Sequence, residues 1–259
     1  MSEEKVRLGG MALANGVLVH GPKSWACAVR TGDGEIHVAR GRKRLLPGNR
    51  PLLRGPARLL EALLVLPRVR RSLPEARFAF QRPKVLASLV AAGVAGRAIR
   101  ETRLPPAVQE LAAGALALTP ALLALREGEL AAYHGAEHVS IGTYEHGERA
   151  AKEHERCGTH LVGPLLVATA AGATLAGRAP AHLRRPASLV AALGAMAAAT
   201  EIFGWMVRNP EHPMAKALAR PGHELQERVA TAEPTPDQVE VADAALNACL
   251  DLERASLAC

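Results

Sequence analysis

Four apolar segments constrain the fold of this chain more than any other feature of its sequence. They have the length of helices and lie at 85–99, 108–125, 161–177 and 187–207. A bilayer is crossed by about 20 helical residues, and only the last segment approaches that length without its flanks. Some of the segments also carry a charge, such as Arg97, Glu110 or Glu201.

Small residues in the last two segments favour helices that pack closely in a membrane. Gly and Ala recur there every four residues, at Ala168, Gly172 and Ala176 and again at Gly194 and Ala198. Short connections join the first segment to the second and the third to the fourth, so we predict two apolar helical hairpins of a multi-pass membrane protein. A soluble all-α bundle is the alternative, because Ala-Leu runs and a mean hydropathy of +0.04 also suit it.

The first 45 residues show the pattern of β-strands. Short apolar runs at 16–19 and 25–29 are separated by Gly21-Pro22, and Gly32-Asp33-Gly34 marks a tight turn. We predict a small N-terminal antiparallel β region. The chain as a whole is then an α+β protein that is mainly helical.

A basic segment, 46–84, follows the predicted sheet. From Arg40 to Lys84 the chain has 13 Arg and Lys residues against two Glu residues. Leucines recur at helical spacing as far as Pro67, which predicts an amphipathic helix that lies on a membrane surface or packs on the core. Aromatic residues for base stacking are nearly absent, so we expect no nucleic-acid partner and predict contact with membrane lipids of an anionic leaflet through 40–84.

The charge pattern also predicts the orientation of the protein. Two hairpins return every non-membrane part to one side of the bilayer, and the basic segment identifies that side as cytoplasmic. We therefore expect a protein of the cell membrane whose termini and His-rich stretch are cytoplasmic. Basic residues at the two hairpin tips oppose this rule: Arg100, Arg103, Arg184 and Arg185. The four cysteines form no Cys-x-x-Cys pair, which fits thiols in a reducing compartment.

The C-terminal tail is soluble in character and predicts one helix. Thr235-Pro236-Asp237-Gln238 places an N-cap, a first-turn proline and a capping-box glutamine in register. An apolar face follows, made of Val239, Ala242, Leu246, Cys249 and Leu250. Glu253 interrupts that face, so we expect the helix to lose its packing surface there. The predicted regions are 1–45 (sheet), 46–84 (basic segment), 85–207 (membrane region with a His/Cys-rich loop, 126–160) and 208–259 (tail).

Residue types that bind transition metals crowd between the second and third apolar segments. The chain has 10 His and 4 Cys, and six of these lie within 27 residues: His134, His138, His146, His154, Cys157 and His160. His134-x-x-Glu137-His138 is the inverted form of a zinc-peptidase signature. Residues four apart share one face of a helix, so His134 and His138 can hold one metal, with Glu137 beside them as a general base.

Two imidazoles do not complete a tetrahedral metal site, so a further ligand must come from elsewhere in the chain. The candidates are Cys157 and His154 first, then His160, Glu145 and His146. Gly158 lets the backbone turn tightly and direct the Cys157 sulfur inward, and a thiolate favours zinc over magnesium. We predict a divalent metal, zinc before others, bound by His134, His138 and Cys157. The plainer interpretation is a polar helix end whose histidines bond to nearby backbone.

Several motifs together indicate a family. They are Tyr133-His134-Gly135-Ala136-Glu137-His138, Tyr144-Glu145, Arg156-Cys157-Gly158-Thr159, Gly9-Gly10 with Gly16-Val17, Pro221-Gly222, Leu225-Gln226 and the run 236–242. On these motifs the chain resembles the YqhQ-like family of bacterial proteins, a domain of unknown function labelled a predicted metal-dependent enzyme. The resemblance extends over nearly the whole chain. It implies a multi-pass membrane protein with metal-dependent chemistry.

The chain departs from the pattern of that family at a few positions. Asn15 stands where the family usually has a Glu, and Leu18-Val19-His20 where it has Met-Met-Arg. Glu155 replaces a proline before Arg-Cys-Gly-Thr, and the run 231–234 keeps only part of a Thr-Thr-Arg-Glu-Pro pattern. A catalytic role for the missing Glu would imply that this chain is impaired.

Three hypotheses about function follow from these features. The first is a metal-dependent membrane hydrolase whose site, at the cytoplasmic face, uses Glu137 as general base. The second is a non-catalytic assembly or scaffold protein with a structural metal or polar site. The third, with less support, is metal transport past Glu201, an acidic residue within the fourth segment. A catalytic site leaves one metal position open, whereas a structural site is closed by four protein ligands.

Overall fold

The predicted N-terminal sheet is present in the computed structural model of the protein, which describes residues 5–47, 50–126 and 129–257. Its antiparallel strands lie side by side in chain order: β1 (Gly9–Leu13), β2 (Gly16–His20), β3 (Ser24–Arg30) and β4 (Ile36–Arg42). The predicted turn at Gly34 adopts a φ of 91°, which glycine tolerates without strain. β1 and β4 are therefore the two edges of a small meander.

Helices make up most of the rest of the described chain, as expected for an α+β protein that is mainly helical. They are α1 (Arg54–Leu63), α2 (Leu66–Ser72), α3 (Pro83–Arg100), α4 (Pro106–Ala117), α5 (Thr119–Arg126), α6 (Leu130–His146), α7 (Val162–Gly177), α8 (Arg184–Arg208), α9 (Pro213–Leu225) and α10 (Pro236–Leu257). Short 3₁₀ turns lie at Ala79–Gln81, Gly158–Leu161 and Ala181–Leu183, and a π-helical turn at Gln226–Ala230.

The two faces of the sheet are covered by different elements. Alternate side chains of β2 and β3 pack with α6 and α10 on one face: Val17, Val19, Ala26 and Ala28. The intervening side chains pack with α2 and Phe78 on the other: Leu18, Trp25, Cys27 and Val29. Because both faces are buried, the sequences of β2 and β3 are continuous apolar runs and do not alternate between apolar and polar residues. Cys27, Cys157 and Cys249 are buried free thiols, whereas Cys259 lies outside the described residues.

The helix α10 begins and packs as predicted but ends differently. The Thr235 N–H donates to Gln238 Oε1 at 2.9 Å, and the Gln238 N–H donates to Thr235 Oγ1 at 3.3 Å, which forms the capping box. The expectation that packing ends at Glu253 is wrong, because Glu253 is itself buried. Its Oε1 accepts hydrogen bonds of 2.7 Å from the Lys23 and Ser24 N–H groups and from the Ser24 hydroxyl. Because the β2–β3 turn supplies these donors, the Glu253 carboxylate can be buried on a helix face that is otherwise apolar.

The apolar segments fold as two pairs of packed helices. α3 packs against α4, and α7 against α8, while α4 also contacts α7 and joins the pairs. Gly172 allows α7 to approach α8, since a Cβ there would lie 3.3 Å from that of Ala191. The open end of the first pair lies beside the sheet, where Val85, Ala124 and Leu130 are buried together.

Acidic residues on these helices are paired with basic residues. Glu110 accepts hydrogen bonds of 2.6 and 2.8 Å from the Arg100 guanidinium. Glu201 accepts from Arg54 and, at 3.0 Å, from the Leu52 N–H, and this contact attaches α1 to α8. These partners account for Glu201 without a transport pathway.

Three helical stretches of the described chain are long and apolar enough to cross a membrane: Pro106–Arg126, Gly158–Gly177 and Ala181–Arg208. The first predicted segment, in α3, is not among them, because its 18 residues include Lys84, Arg97 and Arg100. Large apolar side chains on α3, α7 and α8 are more than half exposed: Leu89, Val90, Val94, Val167, Leu175, Leu189, Val190 and Leu193. Length, composition and exposure together suggest association with a membrane.

The leucines of the basic segment divide between solvent-accessible and core positions. Leu59, Leu60, Leu63 and Leu64, at the end of α1 and just beyond it, are 40–48% exposed. The core contact is made by Val65 and, in α2, by Leu66 and Val69. Of the two interpretations that the sequence left open, packing on the core therefore holds for Leu66 but not for the four exposed leucines.

Candidate metal centre

The helix α6 carries the central motif and is held on the sheet by its neighbours. It packs on β1 and on α10, to which it is also joined by a 2.6 Å hydrogen bond from the Ser140 hydroxyl to Asp243. It ends at Gly147, whose φ of 83° is the left-handed value typical of a helix C-cap. The region that we expected to be a loop, 126–160, therefore begins with a helix of 17 residues.

Backbone carbonyls fix the orientation of both imidazoles of the motif. His134 Nδ1–H donates to the carbonyl of Ala230 at 2.8 Å, and His138 Nδ1–H donates to that of Lys152 at 2.6 Å. Since a carbonyl oxygen only accepts, each neutral ring carries its proton on Nδ1 and keeps a lone pair on Nε2. Metal-binding histidines are commonly oriented by such bonds.

Cys157 approaches the two histidines from the segment after α6. Its sulfur lies 3.4 Å from Nε2 of His134, and the ring centroids of His134 and His138 are 4.4 Å apart. One ligand atom from each of the three side chains lies within 4.8 Å of the others. Donor atoms around a tetrahedral zinc ion are roughly 3.5 Å apart. The donor set therefore fits a zinc ion after small side-chain movements.

Burial sets the protonation state of the cluster formed by His134, His138 and Cys157. Burial, with the nearby His134, lowers the pKa of His138 to about 3, so this ring is neutral and able to bind a metal at physiological pH. Burial raises the pKa of the Cys157 thiol, so the thiol must lose a proton when it becomes a ligand. Binding of a metal by Cys157 would thus release the thiol proton.

Glu137 lies beside the cluster in a different environment. Its carboxyl is buried under β1, in space that a Cβ on Gly10 would fill. Burial raises its pKa to about 7, the nearby His134 lowers it, and Cys157 raises it. The carboxyl has no hydrogen-bond partner among the described residues. Gly10 is thus required for close approach to Glu137, which explains a glycine pair that the sequence left without a role.

A cavity of about 440 Å³ opens onto these groups. It is enclosed by β1, the end of α5, one face of α6 and the segment 154–159. The His134, Glu137, His138 and Cys157 side chains line one wall, and most other lining residues are apolar. Ligand sites in proteins commonly have this size and this combination of apolar walls with a few polar groups.

Gln226 fixes the segment that carries Cys157. Its Oε1 accepts from the His154 N–H at 2.8 Å, and its Nε2 contacts Oγ1 of Thr159 at 2.9 Å and Nδ1 of His160 at 3.2 Å. The side chain is completely buried. The third-ligand candidate His160 is therefore part of this polar network and not of the cluster.

The remaining ligand candidates also lie outside the cluster. His154 Nε2 lies 3.1 Å from Oε2 of Glu145, which in turn pairs with Arg156. The ring centroid of His154 is 5.6 Å from that of His138. His146 is exposed, and its Nδ1–H donates to the carbonyl of Gly142 at 2.9 Å. Of the predicted third ligands, only Cys157 joins the two histidines.

The groups that orient the site were hardly recognisable from the sequence. The carbonyls of Ala230 and Lys152 have no side-chain signature, and Gln226 was marked only by the family resemblance. Asn15, where the family usually has a Glu, lies in the β1–β2 turn. Its side-chain amide donates to the Arg30 and Glu75 carbonyls, and it does not line the cavity. That departure leaves the cluster intact.

Comparison with known proteins gives one match. Residues 129–252, from α6 to α10, match the family described as "Protein of unknown function (DUF1385)". Neither the curated proteins nor the solved structures yield a match. The matched part contains the cluster, Glu137 and Gln226 but neither the sheet nor the first helix pair. The part of the chain that carries the candidate metal centre is thus similar to an uncharacterised domain family.

Proposed function

We propose that this protein is a metal-dependent hydrolase of the cell membrane, with its site at the cytoplasmic face and related to the YqhQ-like family. One observation carries the proposal: His134, His138 and Cys157 converge beside the buried Glu137 carboxyl at the wall of a cavity. Both rings keep Nε2 available, as metal ligation requires. The three ligands suit zinc, because thiolate and imidazole are the donors that it prefers.

Each group then has a distinct chemical role. His134, His138 and Cys157 would hold the metal, which when bound supplies Lewis acidity that polarises a substrate carbonyl and acidifies water. Glu137 accepts a proton from the attacking water and returns it to the leaving group. A pKa near 7 suits that exchange, because the carboxyl both gains and loses protons readily at physiological pH.

The alternative is a non-catalytic scaffold protein with a structural metal, which would require a fourth protein ligand. Of the further ligands that the sequence offered, His154 directs its Nε2 to Glu145 instead of to the cluster. Three protein ligands beside an open cavity leave one metal position free for water or substrate, which favours a catalytic site.

We further propose that both helix pairs enter the membrane from the cytoplasmic side. Exposed apolar side chains and paired acidic residues on the helices support this. α1 would lie in the interface, since it contacts α8 at Glu201, seven residues or about 10 Å from the end of that helix at Arg208. Its exposed leucines would face lipid, and the basic residues of 40–84 would face anionic head groups.

Labelling of single cysteines in intact cells tests the orientation. The described native cysteines are buried, so new ones are needed at exposed positions, Asp33→Cys in the β3–β4 turn and Thr102→Cys between α3 and α4. An impermeant maleimide should label Thr102→Cys from outside and Asp33→Cys only after lysis. Labelling of Asp33→Cys from outside would refute the orientation.

Metal analysis of four purified proteins tests the site. The wild type should hold close to one zinc ion per chain, and His134→Ala should lose it. His146→Ala is the matched control, because it removes an exposed histidine of the same helix and should keep the metal. Glu137→Gln should keep the metal and lose hydrolysis. Absence of metal from the wild type after zinc reconstitution would refute the proposal.

A further inference from the structure

We infer that the cavity binds an extended apolar peptide, which pairs as an additional strand with the free edge of β1. Peptide binding follows from the edge and the cavity alone, whereas cleavage of that peptide rests on the proposed function. The substrate class is then an unfolded or juxtamembrane segment of a membrane protein.

The register of β1 shows which backbone groups are free. β1 lies at an edge of the sheet and pairs with β2 across a two-residue turn, with Leu13 opposite Gly16. A two-residue turn closes on a hydrogen-bonded pair, and such pairs alternate along an antiparallel ladder. Gly10 and Ala12 therefore direct their N–H and C=O groups away from β2. Among the described residues, no backbone or side-chain group bonds to them.

The cavity runs along this free edge. Five consecutive residues from Leu8 to Ala12 line it, which is expected of a cleft parallel to a strand. Gly9 and Gly10 are exposed, so the edge is open to an incoming chain. Addition of a strand to such an edge is a common mode of peptide recognition, because the free backbone groups supply the hydrogen bonds.

The walls of the cavity select apolar side chains. Opposite the strand lie small and apolar residues at the end of α5 and along α6: Ala121, Ala124, Leu125, Leu130 and Ile141. Alternate side chains of an extended peptide would point at these residues. The end of α5 is also the end of the candidate membrane span Pro106–Arg126, so the cleft opens next to the apolar helices.

The strand edge places a bound peptide beside the chemical groups. Glu137 occupies the space next to Gly10 that a Cβ would take, so a chain paired with Gly10 passes close to its carboxyl. In the reaction, water adds its oxygen to the peptide carbonyl carbon and the C–N bond breaks. Glu137 takes the proton from water and delivers it to the leaving nitrogen, so that an acid and an amine are formed.

A lipid acyl chain would also suit the apolar walls but not the strand edge. It offers no donors or acceptors, so the N–H and C=O groups of Gly10 and Ala12 would be covered without partners. Such burial is unfavourable. The free edge therefore favours a peptide.

Binding of two matched probes to the full-length protein in nanodiscs tests the inference. The first is the fluorescent hexapeptide acetyl-Leu-Ala-Leu-Ala-Leu-Ala-amide, and the second is the same peptide N-methylated at every residue. N-methylation removes the donors but increases apolar character. The unmodified peptide should bind at least about tenfold more tightly, since several hydrogen bonds are lost together. Binding to empty nanodiscs is subtracted.

Two variants locate the binding to the edge. Ala12→Pro removes an outward N–H without removing a bond to β2 and should weaken binding about fivefold. Gly32→Ala, in the β3–β4 connection outside the cavity, adds a methyl group into open space and should leave binding unchanged. Thermal unfolding and metal content check that both variants fold.

The outcomes separate this inference from the proposed function. Equal or tighter binding of the methylated peptide would overturn strand pairing and indicate an apolar groove for lipid. Absence of binding of either peptide to a zinc-loaded protein would overturn the inference alone. Selective binding of the unmodified peptide to a protein that takes up no zinc would support the inference while the proposed function failed.

Discussion

Two buried glutamates on the same face of the sheet have opposite surroundings. Glu137 of α6 lies against Gly10, and Glu253 of α10 lies against Gly21; a Cβ on either glycine would overlap the carboxylate. Glu253 accepts three hydrogen bonds of 2.7 Å from the β2–β3 turn. Glu137 has no such partner in the described part of the chain and faces a cavity lined by the three candidate metal ligands.

These surroundings distinguish the carboxylate that stabilises the fold, that of Glu253, from the one that is available for chemistry, that of Glu137. A carboxylate with three donors holds a turn in place, and its removal leaves those donors unpaired. A carboxylate without donors destabilises the folded state when it ionises, and such cost is typical of groups kept for function. Removal of the carboxylate should therefore destabilise the protein at Glu253 and stabilise the metal-free protein at Glu137.

The largest effect on stability is expected at Glu253. Glu253→Ala leaves the N–H and hydroxyl of buried Ser24, and the partly buried N–H of Lys23, without their acceptor. It should lower the free energy of unfolding by about 3 kcal/mol. Urea unfolding of the detergent-solubilised protein measures this. Glu240→Ala, which removes an exposed partner of Arg30 from the same helix, should change stability by less than about 0.5 kcal/mol. Equal effects of the two substitutions would contradict the role of Glu253.

Glu137 should instead make the metal-free protein less stable as the pH rises. Burial raises its pKa from 4.5 to about 7. The stability associated with the neutral form is complete below the unfolded-state pKa and is lost as the pH passes through 7. The loss is at most about 3 kcal/mol. Glu137→Gln should remove this loss, and its unfolding midpoint should exceed that of the wild type at pH 8. A lower midpoint there would show that the carboxylate is stabilising.

The two glycines offer a matched pair of substitutions. Gly21→Ala forces the Glu253 carboxylate out of the β2–β3 turn and should cost about 2 kcal/mol of stability. Gly10→Ala displaces a carboxyl that has no partners, so it should cost less than half as much while removing hydrolytic activity. Thermal unfolding and peptide cleavage distinguish the two. A larger loss of stability for Gly10→Ala would reverse the comparison.

The smallest of these effects concerns the thiol of the cluster. Burial raises the pKa of Cys157, so zinc binding releases its proton and zinc affinity should rise about tenfold per pH unit between pH 6 and 8. His138 contributes no dependence in that range, because its pKa is lowered to about 3. Competition with a chelator across this range measures the slope. The Glu137 carboxyl beside the cluster also has a pKa in this range, so both proteins carry Glu137→Gln. A slope near zero after Cys157→Ser would assign the dependence to the thiol, and an unchanged slope would contradict it.

Local features of the fold and site were predictable from sequence. The capping box of Thr235 and Gln238 depends on residues three apart, and the common face of His134 and His138 depends on helical spacing. Each could be read from one short stretch. The choice of Cys157 followed from the chemistry of its sulfur and the flexibility of Gly158.

Long-range contacts were not predictable in this way. Glu253 looked like a break in an apolar face, because its partners lie about 230 residues away in the chain. The carbonyls that orient the histidines carry no side-chain signal. The importance of Gln226 lies in its four hydrogen-bond contacts, which its local sequence does not predict. The sequence likewise showed strands at 16–19 and 25–29 but not that β1, an edge of the sheet, would lie along the cavity.

X-ray absorption at the zinc edge of the purified, zinc-loaded protein identifies the atoms that bind the metal. The proposed ligand set requires two nitrogen scatterers from imidazole near 2.0 Å and one sulfur scatterer near 2.3 Å, at distances typical of zinc sites. Cys157→Ser should remove the sulfur scatterer and leave the imidazole pattern. A wild-type spectrum without sulfur, or one unchanged by His134→Ala, would contradict a metal centre built from His134, His138 and Cys157.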